Sequence, residues 1–306
     1  MTTVLAPTDG RQVDLTAVRI VATDMDGTLL DPRGAVSERT AAAVAAARDA
    51  GIHVIPVTGR PPQALWDLAE RAGLGPLGVC ANGAAIVDLE QQTVIEVEHM
   101  PGSVAAGLVE LVKAAVPGIK MAADDLDCFS YESGFFEMAV DWQEKLVEVH
   151  DIAGVVGAGC IKLIARSTGT TAAALIEVVA AAVGEIGHVT SSGLDWVDIG
   201  APGVSKAAAV VRVCEHLGEP TAGVLAIGDN HNDIPLLSWA AHAMAPANAI
   251  PEVVAVAHRV LPANTDDGVA TLLEELVAGR SEELVAGRSG ARAGVGEVRT
   301  GRGANG

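Results

Sequence analysis

The sequence predicts an α/β protein whose parallel-sheet core is interrupted by a separate α+β unit. Three observations predict it: short apolar strands alternate with Ala-rich helices from about residue 18 to residue 80, the rhythm is lost between about residues 84 and 198, and it returns from Ser205 onward. Strand–helix alternation at this spacing marks βαβ units and a parallel sheet. With 306 residues, 50% of them apolar, the chain can fill more than one core and is too short for three domains.

Residues 18–22 read as a buried strand that runs into Thr23-Asp24-Met25-Asp26-Gly27. Ser37 offers an N-cap and Glu38 suits the first turn of a helix through residues 41–50, which Gly51 closes. A second strand at 53–57 ends at Thr58-Gly59-Arg60, and Pro61 suits the start of a helix that stops near Gly73. Leu77–Cys80 is a third strand. In the middle region, strands at 93–98, 160–165, 188–191 and 195–199 flank helices at 103–116 and 171–183. The βαβ pattern resumes with a helix over Lys206–Leu217, a strand at 223–227 and the polar cluster Gly228-Asp229-Asn230-His231-Asn232-Asp233. A helix through Trp239, a strand at 242–244 and a helix from about Ile250 complete it. The expected division is a discontinuous core at 15–84 and 199–278, an insert at 85–198, and a tail at 279–306. The C-terminus carries a repeat, residues 274–281 recurring as 282–289, and two copies are too few for a solenoid. A helix end, a duplication and a disordered Gly/Arg-rich segment is the reading.

The net charge of −19 argues against a nucleic-acid partner, because phosphate backbones are held by Lys and Arg. A small phosphorylated ligand remains compatible, since a metal and one or two cations reverse the sign locally. Cys80, Cys128, Cys160 and Cys214 form no CxxC pair, so neither a zinc site nor a disulfide framework is expected. Residues 1–14 hold no apolar run, and the apolar stretch 172–183 is short and broken by Glu177. No membrane partner and a cytoplasmic location are expected.

The chemistry concentrates at three strand ends. In Asp24-x-Asp26 the two carboxylates sit two residues apart on extended chain and share a side. The carboxyl end of such a strand borders the ligand crevice of an open α/β sheet. One carboxylate there can attack phosphorus while the other handles protons, or the turn simply caps a helix and binds nothing. Thr58-Gly59-Arg60 alone is a strand end, Lys206 alone an exposed lysine, and 228–233 alone a polar capping turn. His231 reads as a loop residue, Asn248 as a helix cap, and Trp142, Trp196 and Trp239 as packing residues.

Taken together and in order, these segments resemble the haloacid dehalogenase superfamily. Asp24-Met-Asp26-Gly27-Thr28 is similar to its first motif, Thr58-Gly59-Arg60 to the second, Lys206 in Gly-Val-Ser-Lys to the third, and Gly228-Asp229-x-x-Asn232-Asp233 to the fourth. The Asn82-Gly83-Ala84 turn, the long insert, and Asn264-x-Asp266-Asp267-Gly268 are similar to the Cof-type branch. The resemblance implies a Rossmann-like core with a C2B-type cap, and a Mg²⁺-dependent phosphatase working through an aspartyl phosphate. It further implies Asp24 as nucleophile and Asp26 as acid–base, with Thr58 and Lys206 in support. Mg²⁺ would be held by Asp24, Asp229 and the Asp26 carbonyl, with Asp233 holding a metal-bound water or pairing with Lys206, and Gly59, Arg60, Asn82 and Asn232 would line the substrate. The expected substrate is a small phosphorylated metabolite, a sugar phosphate first and a phosphorylated cofactor second. The rivals are a phosphomutase and a non-catalytic phospho-ligand binder. Two features depart from the pattern: Pro235 stands in the first helical turn after Asp233, and residues 121–141 match no motif.

Overall fold

A strand buried at every position needs cover on both faces, which a parallel sheet between helices supplies. In the computed structural model, which describes residues 15–136, 145–191, 193 and 195–293, β1 (Ile20–Thr23) is such a strand. It is followed by α1 (Glu38–Asp49), β2 (His53–Pro56), α2 (Trp66–Ala72) and β3 (Leu77–Cys80). The local signals operate as chemistry requires. Ser37 accepts the Thr40 amide at the start of α1, and Gly73 closes α2 in the left-handed region at φ 67°.

Next come β4 (Ala85–Asp88), β5 (Thr93–Val97), α3 (Gly102–Ala115), β6 (Lys120–Asp124), β7 (Phe129–Glu132) and β8 (Leu146–Val149). Then follow β9 (Lys162–Arg166), α4 (Ala172–Val183), β10 (His188–Thr190) and β11 (Trp196–Gly200). The chain returns through α5 (Lys206–Leu217), β12 (Val224–Ile227), α6 (Ile234–Trp239), β13 (His242–Pro246), α7 (Pro251–Val256), β14 (Arg259–Leu261) and α8 (Gly268–Ala293).

The core sheet runs β14-β13-β12-β1-β2, every pair parallel. Its register pairs Thr23 with both Pro56 and Ile227, so β1, β2 and β12 end at one level. The loops leaving those ends therefore converge. The insert forms a six-stranded sheet, β10-β11-β9-β6-β7-β8, antiparallel except for β7–β8. Its strands alternate with period two. Met121, Ala123, Leu163, Ala165, Val197 and Ile199 pack under α3 and α4, while Asp124, Lys162, Ile164 and Trp196 line a cavity on the other face.

Two expectations shift. The strand at 93–98 was assigned to the insert, yet β4 and β5 pair with β3 in an antiparallel three-stranded sheet. Ile86 packs in the core cluster with Val79 and Ala209, and a parallel Val57–Val79 bridge ties this small sheet to the end of β2. A hairpin burying its inner face against the core belongs physically to the core side. Second, α8 carries helix across the repeat to Ala293, where a helix end and tail were expected. Each copy has two Glu, a single Gly and no Pro, a composition that tolerates continued helix at a cost of about 1 kcal/mol per Gly. Trp142 and residues 294–306 lie outside the described residues.

Candidate active site

The loops after β1 and β12 and the start of α5 bring four charged groups into one buried cluster. Lys206 Nζ lies 2.6 Å from Asp24 Oδ1 and 2.7 Å from Asp233 Oδ1. Lys206 starts α5 behind an N-cap in which Ser205 accepts the Ala208 amide, and the lysine is 1% exposed. A cation at a helix N-terminus is placed against the dipole. Its two carboxylate partners offset that cost.

Asp233 is locked from its other oxygen, Oδ2, which accepts the Asp229 and Asn230 amides at 3.0 Å each. Asp229 in turn accepts a 2.7 Å hydrogen bond from the Thr28 hydroxyl. Gly27 makes this approach possible: with φ 79°, a Cβ there would stand 2.5 Å from Asp229 Oδ2.

Asp24, Asp229 and Asp233 each offer an oxygen within 4.8 Å of the others, and all three are buried. Three carboxylates against one ammonium leave a local excess of negative charge. Burial drives the Asp24 carboxyl well above its ordinary range, against the pull of Lys206. Burial and then the neighbouring Asp233 charge push Asp229 up to about 6. Hard oxygen donors and uncompensated charge fit a divalent cation such as Mg²⁺. The Asp26 side chain is not part of this group.

The folded metal-free chain holds protons on Asp24 and Asp229 that the unfolded chain releases near pH ~4. That stabilising contribution is complete at low pH and is lost as pH rises through the Asp229 value of about 6. Mg²⁺ is therefore expected to raise the melting temperature more at about pH 7.5 than at about pH 5, measured by calorimetry against EDTA. Equal shifts at both would contradict this charge accounting.

Around the cluster lie the remaining expected residues. Thr58 is fully buried, and its hydroxyl accepts the Arg60 amide at 3.1 Å. Arg60 grips Asp26 with two parallel bonds, 2.7 and 2.5 Å long. Lys206 joins Asp24 on the far side, so the two aspartates of the first motif meet different cations. Asn232 lines the cavity and donates at 2.9 Å to Asn82, which itself does not line it. Asn248, expected to cap a helix, instead bridges loops: it donates to the Gly27 carbonyl at 2.7 Å and accepts the Asn264 amide at 2.9 Å. Pro235 sits in the first turn of α6 and leaves the Asp233 bonds intact.

A cavity of about 570 Å³ lies between these loops and the six-stranded sheet, lined by Asp24, Asp26, Thr58 and Arg60 below and by Asp124, Lys162 and Trp196 above. The sheet is seated on the loops. Lys162 donates to the Gly59 carbonyl at 3.1 Å, Gln63 to the Leu126 carbonyl at 2.6 Å, and the Asn232 amide to the Ser191 carbonyl at 3.2 Å. Trp196, read as packing, does pack on Phe135 and also borders the cavity. Asp124 and Lys162 escaped the sequence reading. Their signal was a charge recurring on one face of an otherwise apolar strand.

The family model for haloacid dehalogenase-like hydrolases matches residues 21–273. The chain belongs to that family. Pyridoxal phosphate phosphatase YbhA of Escherichia coli (strain K12) is 28% identical over 264 residues, covering 83% of this chain and 97% of that protein. The 5-amino-6-(5-phospho-D-ribitylamino)uracil phosphatase YcsE of Bacillus subtilis (strain 168) is 26% identical, covering 85% and 96%. SMU.1108c of Streptococcus mutans UA159 shares the fold with a TM-score of 0.76 at 22% identity, over 85% of this chain and 99% of that one. The subclass IIB sugar phosphatase BT4131 shares it with a TM-score of 0.71 at 18% identity, over 84% and 98%. This haloacid dehalogenase-like chain is thus a phosphoric monoester hydrolase of the Cof-type branch, with a Rossmann-like core and an additional antiparallel sheet. Among the described residues no helix is long and apolar enough to cross a membrane.

Proposed function

We propose that this hydrolase removes phosphate from a small metabolite through an aspartyl phosphate on Asp24, with Mg²⁺ as cofactor. The observation that carries it is the buried Asp24–Lys206–Asp233 cluster, whose Asp24 borders the cavity beneath the six-stranded sheet. Asp24, Asp229, Asp233 and the Asp26 carbonyl would hold the ion, and bound there it would supply positive charge against the phosphate. Asp24 Oδ1 is engaged by Lys206, leaving Oδ2 to attack phosphorus. Lys206 keeps the nucleophile oriented and pulls against the burial that favours its neutral acid, and a bound cation would add to that pull. Asp26, held at the cavity by Arg60, protonates the leaving oxygen and later takes a proton from water. Thr58 and the Gly59 backbone border the transferring group, and Arg60 and Asn232 meet its outer side.

The insert, within residues 85–198, acts as the cap that excludes water from this step. A volume of about 570 Å³ suits a phosphate with a leaving group of one or two rings. Asp124 and Lys162 stand side by side as acceptor and donor, and Trp196 offers a ring face. That trio suits the hydroxyls and C–H face of a sugar phosphate. A planar phosphorylated cofactor is the second reading, favoured by Phe129 and Ile164 beside Trp196. Four free thiols, three of them buried, support a reducing cytoplasmic compartment.

Phosphate release from hexose and pentose phosphates, pyridoxal phosphate and acetyl phosphate, each with Mg²⁺ and with EDTA, tests the reading. Release that needs Mg²⁺ and favours sugar phosphates is expected. A preference for pyridoxal phosphate would replace the sugar assignment alone. Isomerisation of a hexose 1-phosphate without release would put a mutase in its place, and no turnover of any compound would sink the enzyme mechanism.

A further inference from the structure

We infer that Asp198, on β11 of the insert, is a positioning residue that sets the orientation of two core amides beside the reacting groups. Asp198 is 2% exposed, and its Oδ2 accepts the Asn82 side-chain amide at 3.0 Å. Asn82 Oδ1 accepts the Asn232 side-chain amide at 2.9 Å. A carboxylate only accepts. Asn82 must therefore turn its NH₂ toward Asp198 and its carbonyl toward Asn232, and Asn232 must answer with its own NH₂. One buried charge thus fixes the direction of both amides. Lys162 keeps that charge in place, standing 3.5 Å from Asp198 Oδ1 while it donates to the Gly59 carbonyl.

The row reaches both halves of the site. Asn82 sits in the left-handed region at φ 56°, and its Oδ1 would lie 3.0 Å from a Cβ on Gly59. Its backbone amide also donates to the Thr58 carbonyl at 3.0 Å, so it braces the loop of the second motif. Asn232 precedes Asp233, the partner of Lys206. Neither Asp198 nor Asn82 lines the cavity, so both act behind the substrate. The insert thereby supplies order to the reaction centre as well as a wall to the cavity. This role rests on the phosphatase reading for its kinetic consequence, and on geometry alone for the amide orientation.

The full chain carrying Asp198→Asn keeps the side-chain volume and removes the charge that gives the row its direction. Its kcat for acetyl phosphate with Mg²⁺ is expected to fall at least about tenfold, the worth of one misdirected buried hydrogen bond, with a smaller change in KM. Adding Asn82→Asp moves the carboxylate to the middle of the row, where it accepts from the amides on both sides. The double variant is expected to regain most of the lost kcat even if it melts below the wild type. A wild-type kcat in Asp198→Asn, or a double variant no better than the single one, would overturn the inference. The side-chain amide NMR signals of Asn82 and Asn232 give an independent readout. Faster hydrogen exchange at Asn232 in Asp198→Asn is expected, and an unchanged Asn232 signal would overturn the relay. Should the wild type release no phosphate from any compound, the phosphatase reading fails, and the Asn232 signal alone decides the positioning role.

Discussion

Asp24→Asn is expected to lower turnover by three orders of magnitude or more, on the order of a lost nucleophile, while the protein stays folded. The amide matches the carboxylate in shape and still accepts from Lys206 through its oxygen, so the packing of β1 against β2 and β12 is untouched. It cannot attack phosphorus to give an acyl phosphate. Without metal, the substitution also removes one of three mutually repelling carboxylates from a buried cluster. The variant should therefore melt no lower than the wild type in EDTA, and gain less from added Mg²⁺. Paired activity and calorimetric measurements check both halves. Retained turnover would exclude the covalent route; lost turnover with a collapsed melting transition would show only that the site holds the fold together.

Lys206→Met is expected to have the opposite balance, costing both stability and activity. Lys206 is buried and is the ammonium between Asp24 and Asp233. Its removal leaves buried carboxylates uncompensated, a situation that costs about 3–5 kcal/mol when one partner of a buried pair is deleted. Two effects temper the loss. Acid protonates the orphaned carboxylates, and Mg²⁺ replaces part of the missing charge. The melting temperature in EDTA at neutral pH should fall sharply, and recover in part at about pH 5 or with excess Mg²⁺. A wild-type melt in EDTA would mean that the cluster is solvated more freely than its burial indicates.

Much of this site could be read from residue order because three of its four motifs sit at the ends of parallel strands. Once Thr23 aligns with Pro56 and Ile227, loops that start one residue later have to meet. The helices around them carry explicit punctuation, as with Ser37 and Gly73, or Ser205 and Gly218. The insert was harder. Its strands are short and its sheet closes through non-local antiparallel pairs, such as Lys120 with Arg166 and Trp196 with Arg166. Local periodicity says which face Lys162 and Asp198 share with Ile164 and Trp196, but not what that face meets. The same limit misplaced β5, whose partner is chosen by the inner face of a hairpin and not by any residue within it. The repeat misled for a different reason, since duplication suggests decoration while its composition simply prolongs a helix.

The interleaving of the core also fixes when the protein becomes competent during its synthesis. Thr28 and Asp229 are 201 residues apart in sequence, and Lys206 and Asp24 are 182 apart. The six-stranded sheet, by contrast, is continuous from Lys120 to Gly200 and needs nothing made after it. A chain emerging from the ribosome can complete that sheet while β1 still waits for β12, its neighbour on one side. No nascent chain that ends before Asp233 holds the complete cluster of Asp24, Asp229 and Asp233. Asp24, at the end of the first core strand, meets Lys206, Asp229 and Asp233 only once the chain has been made through residue 233.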